Sequence, residues 1–261
     1  MFTVNHFIWL GICAVLMVCA LQYLQKNRPS LRSVLSVACV LCIISEVTKT
    51  LSVLQMVPSS DGSATHLYVE MGQLPLHLCS IQILFIFFAR FSKNEKAKET
   101  LLAFMYPSCV LGAAFAMAIP TIFNDNVDIS QAFTHPQAYQ YFLYHAMLIV
   151  LGVYIAMSKE VTFRPKHYLS SLGILGALGF ASIYLNSIFA VPTYVNGELV
   201  SVDYTTNFFF THHPPINIPL TEKWHWFVYI GVILTLAVVL IGVVYIPCML
   251  KSARDLSLIH I

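Results

Sequence analysis

The chain has 261 residues, of which 58% are hydrophobic and only 10% are charged. Soluble globular domains carry about 25% charged residues, so this composition excludes an ordinary soluble protein and indicates one embedded in lipid. The net charge of +2 gives no reason to expect a nucleic-acid partner. The seven cysteines lie in or beside apolar segments, which indicates small buried residues rather than a disulfide framework.

Seven apolar segments are long enough to cross a bilayer as helices, since a hydrocarbon core of ~30 Å needs about 20 residues. The segments are 7–25, 33–56, 75–92, 100–120, 138–158, 168–191 and 224–248. Their apolar runs are continuous rather than alternating, which excludes transmembrane strands. The sequence therefore predicts an all-α membrane protein, a bundle of about seven transmembrane helices. We expect a single domain over residues 1–255 and a short unassigned tail at 256–261.

Basic residues determine the expected orientation of these helices. Twelve of the fourteen lysines and arginines fall on one side, and only Lys49 and Lys223 do not. By the positive-inside rule the basic side is cytoplasmic, with the N-terminus outside and the C-terminus inside. The expected location is the plasma membrane. The twelve are Lys26, Arg28, Arg32, Arg90, Lys93, Lys96, Lys98, Lys159, Arg164, Lys166, Lys251 and Arg254.

Two ionisable residues lie inside the second predicted helix, where each costs ~2.5–3.5 kcal/mol on insertion scales. Glu46 and Lys49 are three residues apart and share one helical face, so they are able to pair. Either the pair neutralises itself and anchors helix packing, or it faces a substrate. The histidines show no metal-ligand spacing, so we expect no metal and no other cofactor.

Cys79 lies in the segment that opens the third predicted helix. Pro75 suits the first turn of a helix, where its missing N–H costs nothing. Cys79 is then close to the helix N-terminus, which favours a thiolate and stabilises an anion. Those are the needs of a thiol nucleophile and of the oxyanion that it generates. The alternative is that Cys79 only packs in the core.

His145 is the best candidate for the base that such a nucleophile needs. It lies about two turns into the fifth predicted helix, which starts on the same side as the third, so both residues are expected at similar depth. A Cys–His pair near the outer leaflet suits acyl transfer or ester hydrolysis on a lipid. His77 lies two residues before Cys79 and faces another side of the helix. Its predicted role is to orient or stabilise the oxyanion.

Further candidates for substrate binding lie at the outer ends of the last two helices. Asn186, near the outer end of the sixth helix, and Asn207, in the loop beyond it, either orient a lipid headgroup or cap backbone groups. Trp224 and His225 open the seventh helix, where tryptophan is typical of the membrane interface. We include both in the predicted substrate-binding set.

Several of these pieces resemble the YwaF-type bacterial integral membrane family, and helices at similar spacing extend the resemblance over most of the chain. That family is similar to the eukaryotic transmembrane protein 164 family, multi-pass acyltransferases of ether-phospholipid remodelling. The resemblance implies a cysteine nucleophile and a histidine from a later helix, which here are Cys79 and His145. The matching stretches are Leu74–Cys79, His145, Asn207–Pro214 and Trp224–Trp226.

The predicted function is therefore a Cys/His-dependent lipid acyltransferase, or a thiol-dependent lipid hydrolase, that acts near the outer leaflet through a thioester. Its expected partners are membrane lipids, with a phospholipid as substrate. The competing interpretation is a non-enzymatic receptor-like or transporter-like bundle that binds a small ligand through Glu46, Lys49 and the histidines expected near the outer side. These are His6, His66, His77, His135, His145, His212, His213 and His225. Transport ranks below binding, because no pair of broken helices in matching halves is visible.

Overall fold

The computed structural model describes residues 2–259 apart from residues 126, 159, 216, 217 and 219. At 124, 125 and 252–259 it describes the backbone alone. Lys159, which entered the count of basic residues, and the last two residues of the tail, 260 and 261, lie outside the described residues.

Seven helices of more than one turn run through the described part of the chain. They are α1 (Val4–Asn27), α2 (Leu31–Val53), α3 (Leu78–Phe91), α4 (Glu95–Ala118), α5 (Pro136–Met157), α6 (Pro165–Ile188) and α7 (Lys223–Ile259). All except α3 are long and apolar enough to cross a membrane. The prediction of an all-α membrane bundle is confirmed. Single turns lie at Met71–Gln73, Ile122–Asp125, Ile129–Gln131 and Phe208–Phe210.

Local sequence signals set the helix ends. Ser30 and Asn94 cap α2 and α4, because their side-chain oxygens accept a hydrogen bond from a backbone N–H of the first turn. Pro136 and Pro165 occupy the first turns of α5 and α6, where a missing N–H costs nothing. Helix α7 continues to Ile259, well past its predicted end at 248.

Two antiparallel β-hairpins, which the sequence did not predict, connect helices at the same end of the bundle. Strands β1 (Gln55–Pro58) and β2 (Thr65–Tyr68) lie between α2 and α3, and β3 (Ala190–Val195) and β4 (Glu198–Tyr204) lie between α6 and α7. The second hairpin turns at Asn196-Gly197, both with positive φ, as a two-residue turn requires. We call this end the hairpin end, and the opposite end the basic end.

Helices α4 and α5 form the centre of the bundle. Helix α5 packs against α1, α2 and α4, and α4 also contacts α3, α6 and α7. Gly152 of α5 lies so close to α4 that a Cβ there would be 2.8 Å from Val110 Cγ2 and 2.9 Å from the Tyr106 carbonyl oxygen. The Tyr245 hydroxyl ties α7 to α4 by donating to the Ala103 carbonyl at 2.6 Å. The remaining helices therefore surround a tightly packed pair.

Helix α3 starts later than the sequence predicts. Pro75 lies in an irregular turn, in which the Leu76 N–H donates to the Leu74 carbonyl, and the helix begins at Leu78 with His77 as its N-cap residue. The prediction that Pro75 occupies the first helical turn is therefore wrong. Cys79 is instead the second residue of the helix.

The late start makes α3 too short to cross a bilayer core by itself. Its 14 residues span about 21 Å at 1.5 Å per residue, whereas the core is ~30 Å thick. We therefore expect the irregular segment 74–77, which follows the single turn Met71–Gln73, to lie below the membrane surface at the hairpin end. Irregular backbone at such a depth is tolerated only where protein buries it or where it lines a water-filled cavity.

Candidate functional site

Cys79 lies at the start of α3, on the face that packs against α4. Its Sγ is 3.7 Å from the position that a Cβ would take at Gly112, so the glycine leaves room beside the sulfur. The residue is half-buried. The His77 side chain does not cap the first N–H groups of α3. The positive end of the helix dipole therefore lies beside the thiol.

Helix α5 contacts the start of α3 through Tyr144, the residue that precedes His145. The hydroxyl of Tyr144 donates to the Cys79 carbonyl oxygen at 2.8 Å. The next residue, His145, is 7% exposed, and its ring centroid is 4.3 Å from that of Tyr141. Tyr141 in turn interacts electrostatically with Cys79. The Tyr144 hydrogen bond therefore joins α5 to the start of α3 one residue before His145.

The hydrogen bond of His145 determines which of its nitrogens can act as a base. Nδ1 lies 2.6 Å from the Tyr141 carbonyl oxygen, and because a carbonyl only accepts, Nδ1 carries the proton. Nε2 then holds the lone pair that a general base requires. No hydrogen bond among the described residues joins His145 to the Cys79 thiol. Proton transfer therefore needs the two groups to close up, or to share a water, when a substrate binds.

His77 contacts the loop that follows β4. Its ring lies edge-on to Phe208, with 5.0 Å between the centroids, and it forms a hydrogen bond with the Gly72 backbone. It interacts electrostatically with His145 and with Lys49. His77 is therefore close to the proposed base as well as to the start of α3.

The two ionisable residues of α2 border the same cluster. Lys49 Nζ lies 2.7 Å from Glu46 Oε1, which confirms that the residues pair. The Lys49 side chain is only 12% exposed, and that of Glu46 is 30% exposed. Glu46 also interacts electrostatically with Tyr144. The pair thus neutralises itself and is within electrostatic range of His77 and Tyr144; direct contact with a substrate stays a prediction.

A loop between β4 and α7, residues 205–213, packs over His77, and we call it the covering loop. Asn186 of α6 attaches it to the bundle. The Asn186 Oδ1 accepts from the Phe208 N–H at 2.8 Å and from the Thr206 hydroxyl at 3.0 Å. Its Nδ2 donates to the Phe208 carbonyl and to Thr211 Oγ1. The amide of Asn186 therefore fixes the position of Phe208, whose ring meets His77.

The covering loop contains strained backbone. Phe209 and Phe210 have φ of 57° and 53°, a left-handed conformation that costs a non-glycine residue of order 1–3 kcal/mol. Two side chains of α7 hold the strained turn in place: Tyr229 donates to the Phe210 carbonyl at 2.6 Å, and Trp226 to the Thr211 carbonyl at 2.9 Å. Strain that its surroundings hold in this way is frequent at functional sites.

Asn207 organises the other end of the covering loop. Its Oδ1 accepts from the backbone N–H groups of His212 and His213, and its Nδ2 donates to the His213 carbonyl at 2.8 Å. His212 stacks on Tyr204, and burial, with a smaller effect of the nearby His213, lowers the pKa of His212. Both asparagines thus bind backbone groups of the covering loop, and a headgroup contact stays a prediction.

Trp224 and His225 make only local contacts within the described part of the chain. Their rings lie 3.9 Å apart, and His225 Nδ1 accepts from the Glu222 N–H at 3.1 Å. Trp224 is 60% exposed, as expected for a residue in an interfacial belt. These contacts do not connect either residue to the cluster around Cys79, so their role in substrate binding stays a prediction.

Sequence reasoning missed three residues of this cluster. Tyr141 and Tyr144 precede His145 by four positions and one position, and hydroxyls so deep in an apolar helix are a signal that was available. Phe208 gave no such signal, because a phenylalanine in a loop is ordinary. Among the described residues, no group of three or more His, Cys, Asp or Glu side chains is placed to hold a metal ion.

Comparison with known proteins identifies the family. The sequence model of the TMEM164 family matches residues 1–245 of the chain. This stretch includes every residue of the cluster. No curated protein and no solved structure matches the chain significantly, and the resemblance to bacterial YwaF-type proteins stays an expectation. With its apolar helices and a family match over nearly its whole length, the chain is a multi-pass membrane protein that belongs to the TMEM164 family.

Proposed function

We propose that the chain is a membrane-embedded acyltransferase that moves a fatty acyl group between lipids through a thioester on Cys79. The observation that carries the proposal is the cluster beneath the covering loop. There α5 supplies His145 in the tautomer of a base, and Tyr144 holds the start of α3. The family match adds support, because the resemblance implies a cysteine and a histidine at these two positions.

In the first step Cys79 attacks the ester carbonyl carbon of a phospholipid. His145 Nε2 accepts the thiol proton as the sulfur–carbon bond forms, which is the role of a base beside a nucleophile. The carbon–oxygen ester bond then breaks, and His145 returns the proton to the leaving alcohol. The products are an acyl thioester on Cys79 and a lysophospholipid.

In the second step an acceptor alcohol attacks the thioester. His145 accepts the proton of that alcohol, the carbon–sulfur bond breaks, and the thiolate recovers a proton from His145. A lysolipid acceptor gives acyl transfer, whereas water gives hydrolysis. The partial burial of Cys79 and the cover over His77 favour transfer, because both limit the access of water to the thioester.

The negative charge that develops on the ester oxygen needs donors near Cys79. The uncapped N–H groups of the first turn of α3 are suited to this, since they point along the positive end of the helix dipole. His77, at the N-cap, is the second candidate donor. The Glu46–Lys49 pair keeps the neighbourhood of His77 electrically neutral overall.

Turnover by the full-length protein in nanodiscs tests this proposal. The discs contain a phospholipid with a deuterated acyl chain and an unlabelled lysophospholipid, and mass spectrometry follows the transfer of the label. We expect transfer by the wild type and by Cys109→Ser, which removes a buried thiol of α4. We expect no transfer by Cys79→Ser and at least a hundredfold loss in His145→Ala, as is typical of general-base catalysis.

If Cys79→Ser still transfers the label, the assignment of Cys79 as the nucleophile is wrong. If the wild type transfers no label while it binds a small ligand in a manner sensitive to Glu46→Gln or Lys49→Gln, the non-enzymatic receptor-like interpretation is correct instead.

A further inference from the structure

A groove open to the membrane lies on the opposite side of α3 from Cys79. Leu84, Phe85 and Phe88 of α3 form one wall, and Leu101 of α4 and Ile174 of α6 contribute to the other. The groove has a volume of about 630 Å³. At 3.6 residues per turn, Phe88 lies on the face of α3 opposite Cys79. The groove is therefore separate from the candidate active site.

The walls of this groove are suited to a hydrocarbon chain. Leu84 is 67% exposed and Phe88 is 48% exposed, and in a bilayer such side chains face lipid. A groove between helices forfeits dispersion contacts unless an acyl chain fills it. A lipid chain therefore binds more favourably along this groove than on a smooth helix surface.

A cation lies at the mouth of the groove. Lys96 is one of its lining residues, is exposed, and belongs to the first turn of α4 at the basic end. Two neighbouring cations have partners of their own, since Lys98 pairs with Glu95 at 3.5 Å and Arg90 donates to Ser36. Within the described residues Lys96 makes no ion pair. Its charge is thus available to an anion at the membrane surface.

We infer that this groove is a binding site for an anionic phospholipid from the leaflet at the basic end. The lipid phosphate binds the Lys96 ammonium, and one acyl chain lies against Phe85, Phe88 and Leu101. An unpaired lysine at the head of an apolar groove matches the two parts of such a lipid, its charge and its chain. Lipid binding at this site requires no chemistry at Cys79, so it can be tested independently of the proposed acyl transfer.

Native mass spectrometry of the full-length protein tests the site. The delipidated protein is titrated with phosphatidylglycerol or with zwitterionic phosphatidylcholine. We expect Lys96→Gln to weaken the tightest phosphatidylglycerol binding about fivefold, the effect of one lysine near an anionic lipid, and to leave phosphatidylcholine unchanged. We expect Ala97→Trp, which fills the groove, to remove the tightest site for phosphatidylglycerol.

Lys93→Gln is the matched control, because Lys93 is exposed in the same connection and does not line the groove. It should leave phosphatidylglycerol binding unchanged. Equal weakening by Lys93→Gln and Lys96→Gln would show only diffuse attraction to the basic end and would overturn the site. Full retention of phosphatidylglycerol by folded Ala97→Trp would also overturn it. If Ala97→Trp does not fold, the comparison of the two lysine variants decides alone.

Discussion

The polar side chains around Cys79 form hydrogen bonds with backbone groups or hydroxyls of the protein. Tyr144 bonds the Cys79 carbonyl, His145 bonds the Tyr141 carbonyl, and Asn186 makes four hydrogen bonds to the covering loop. In lipid each unsatisfied polar group is costly, so these bonds fix the orientation of the residues that make them. The cluster is therefore rigid at the start of α3, and the Nε2 of His145 is left for a reacting group.

Tyr144→Phe tests whether the carbonyl of Cys79 must be held. The change removes one hydrogen bond, worth about 0.5–1.5 kcal/mol, and lets the start of α3 shift. We expect the rate of acyl transfer to fall about tenfold, which corresponds to ~1.4 kcal/mol. The matched control is Tyr154→Phe, which also loses a hydroxyl bond to a carbonyl, that of Pro29 at the basic end. Equal rate losses in both variants would contradict a specific role for Tyr144.

Asn186→Ala tests the attachment of the covering loop. It leaves the Phe208 N–H without its partner, and we expect a loss of about 2 kcal/mol in the free energy of unfolding together with faster amide exchange across 205–213. Ser187→Ala, next in the chain, removes an exposed hydroxyl that bonds its own helix at Ile183, and should cost less than about 0.5 kcal/mol. Exchange in 205–213 that is unchanged in Asn186→Ala would argue against this attachment.

The residues of the site were predictable only where their type is unusual in lipid. Cys79, His145 and the Glu46–Lys49 pair stand out from an apolar background, and i,i+3 spacing alone gave the pairing. The contact between Phe208 and His77 joins residues 131 positions apart, and no local pattern encodes such a distance. The same holds for the bonds between Asn186 and the covering loop.

Hydropathy located all seven helices, because a helix that crosses a bilayer requires a continuous apolar segment of about 20 residues. It did not locate the start of α3. Hydropathy predicts that the helix begins at residue 75, but the Leu76 N–H donates to the Leu74 carbonyl and closes a tight turn instead. Close helix approach through a small residue occurs at Gly152, which touches α4, whereas nothing lies within 4 Å of a Cβ added at Gly173, Gly176 or Gly179.

Gly152→Ala and Gly173→Ala form a matched pair that tests this packing. A Cβ at 152 meets the Tyr106 carbonyl oxygen at 2.9 Å, and backbone cannot move aside easily, so we expect a loss of about 1–3 kcal/mol. A Cβ at 173 meets nothing, and alanine favours a helix by up to ~1 kcal/mol over glycine. Thermal unfolding in one detergent should therefore shift the two variants in opposite directions; equal shifts would contradict the close approach of α5 to α4.

For the whole molecule, the hairpins and the basic residues mark opposite ends of the bundle. By the positive-inside rule we predict that the hairpin end is outside. A cysteine at the exposed hairpin tip, Asn196→Cys, should react with an impermeant maleimide in intact cells. Lys93→Cys, exposed at the basic end, should react only after permeabilisation. The reverse pattern would invert the orientation and move the proposed chemistry to the inner leaflet.

The proposed mechanism requires Cys79 to carry an acyl group during turnover. The most direct measurement is the intact mass of the protein after brief incubation with a donor phospholipid and no acceptor, followed by peptide mapping. We predict an added mass equal to one acyl chain, on the peptide that contains Cys79, released by neutral hydroxylamine and absent from Cys79→Ser. An unmodified Cys79 peptide in protein that turns over the donor would contradict this mechanism.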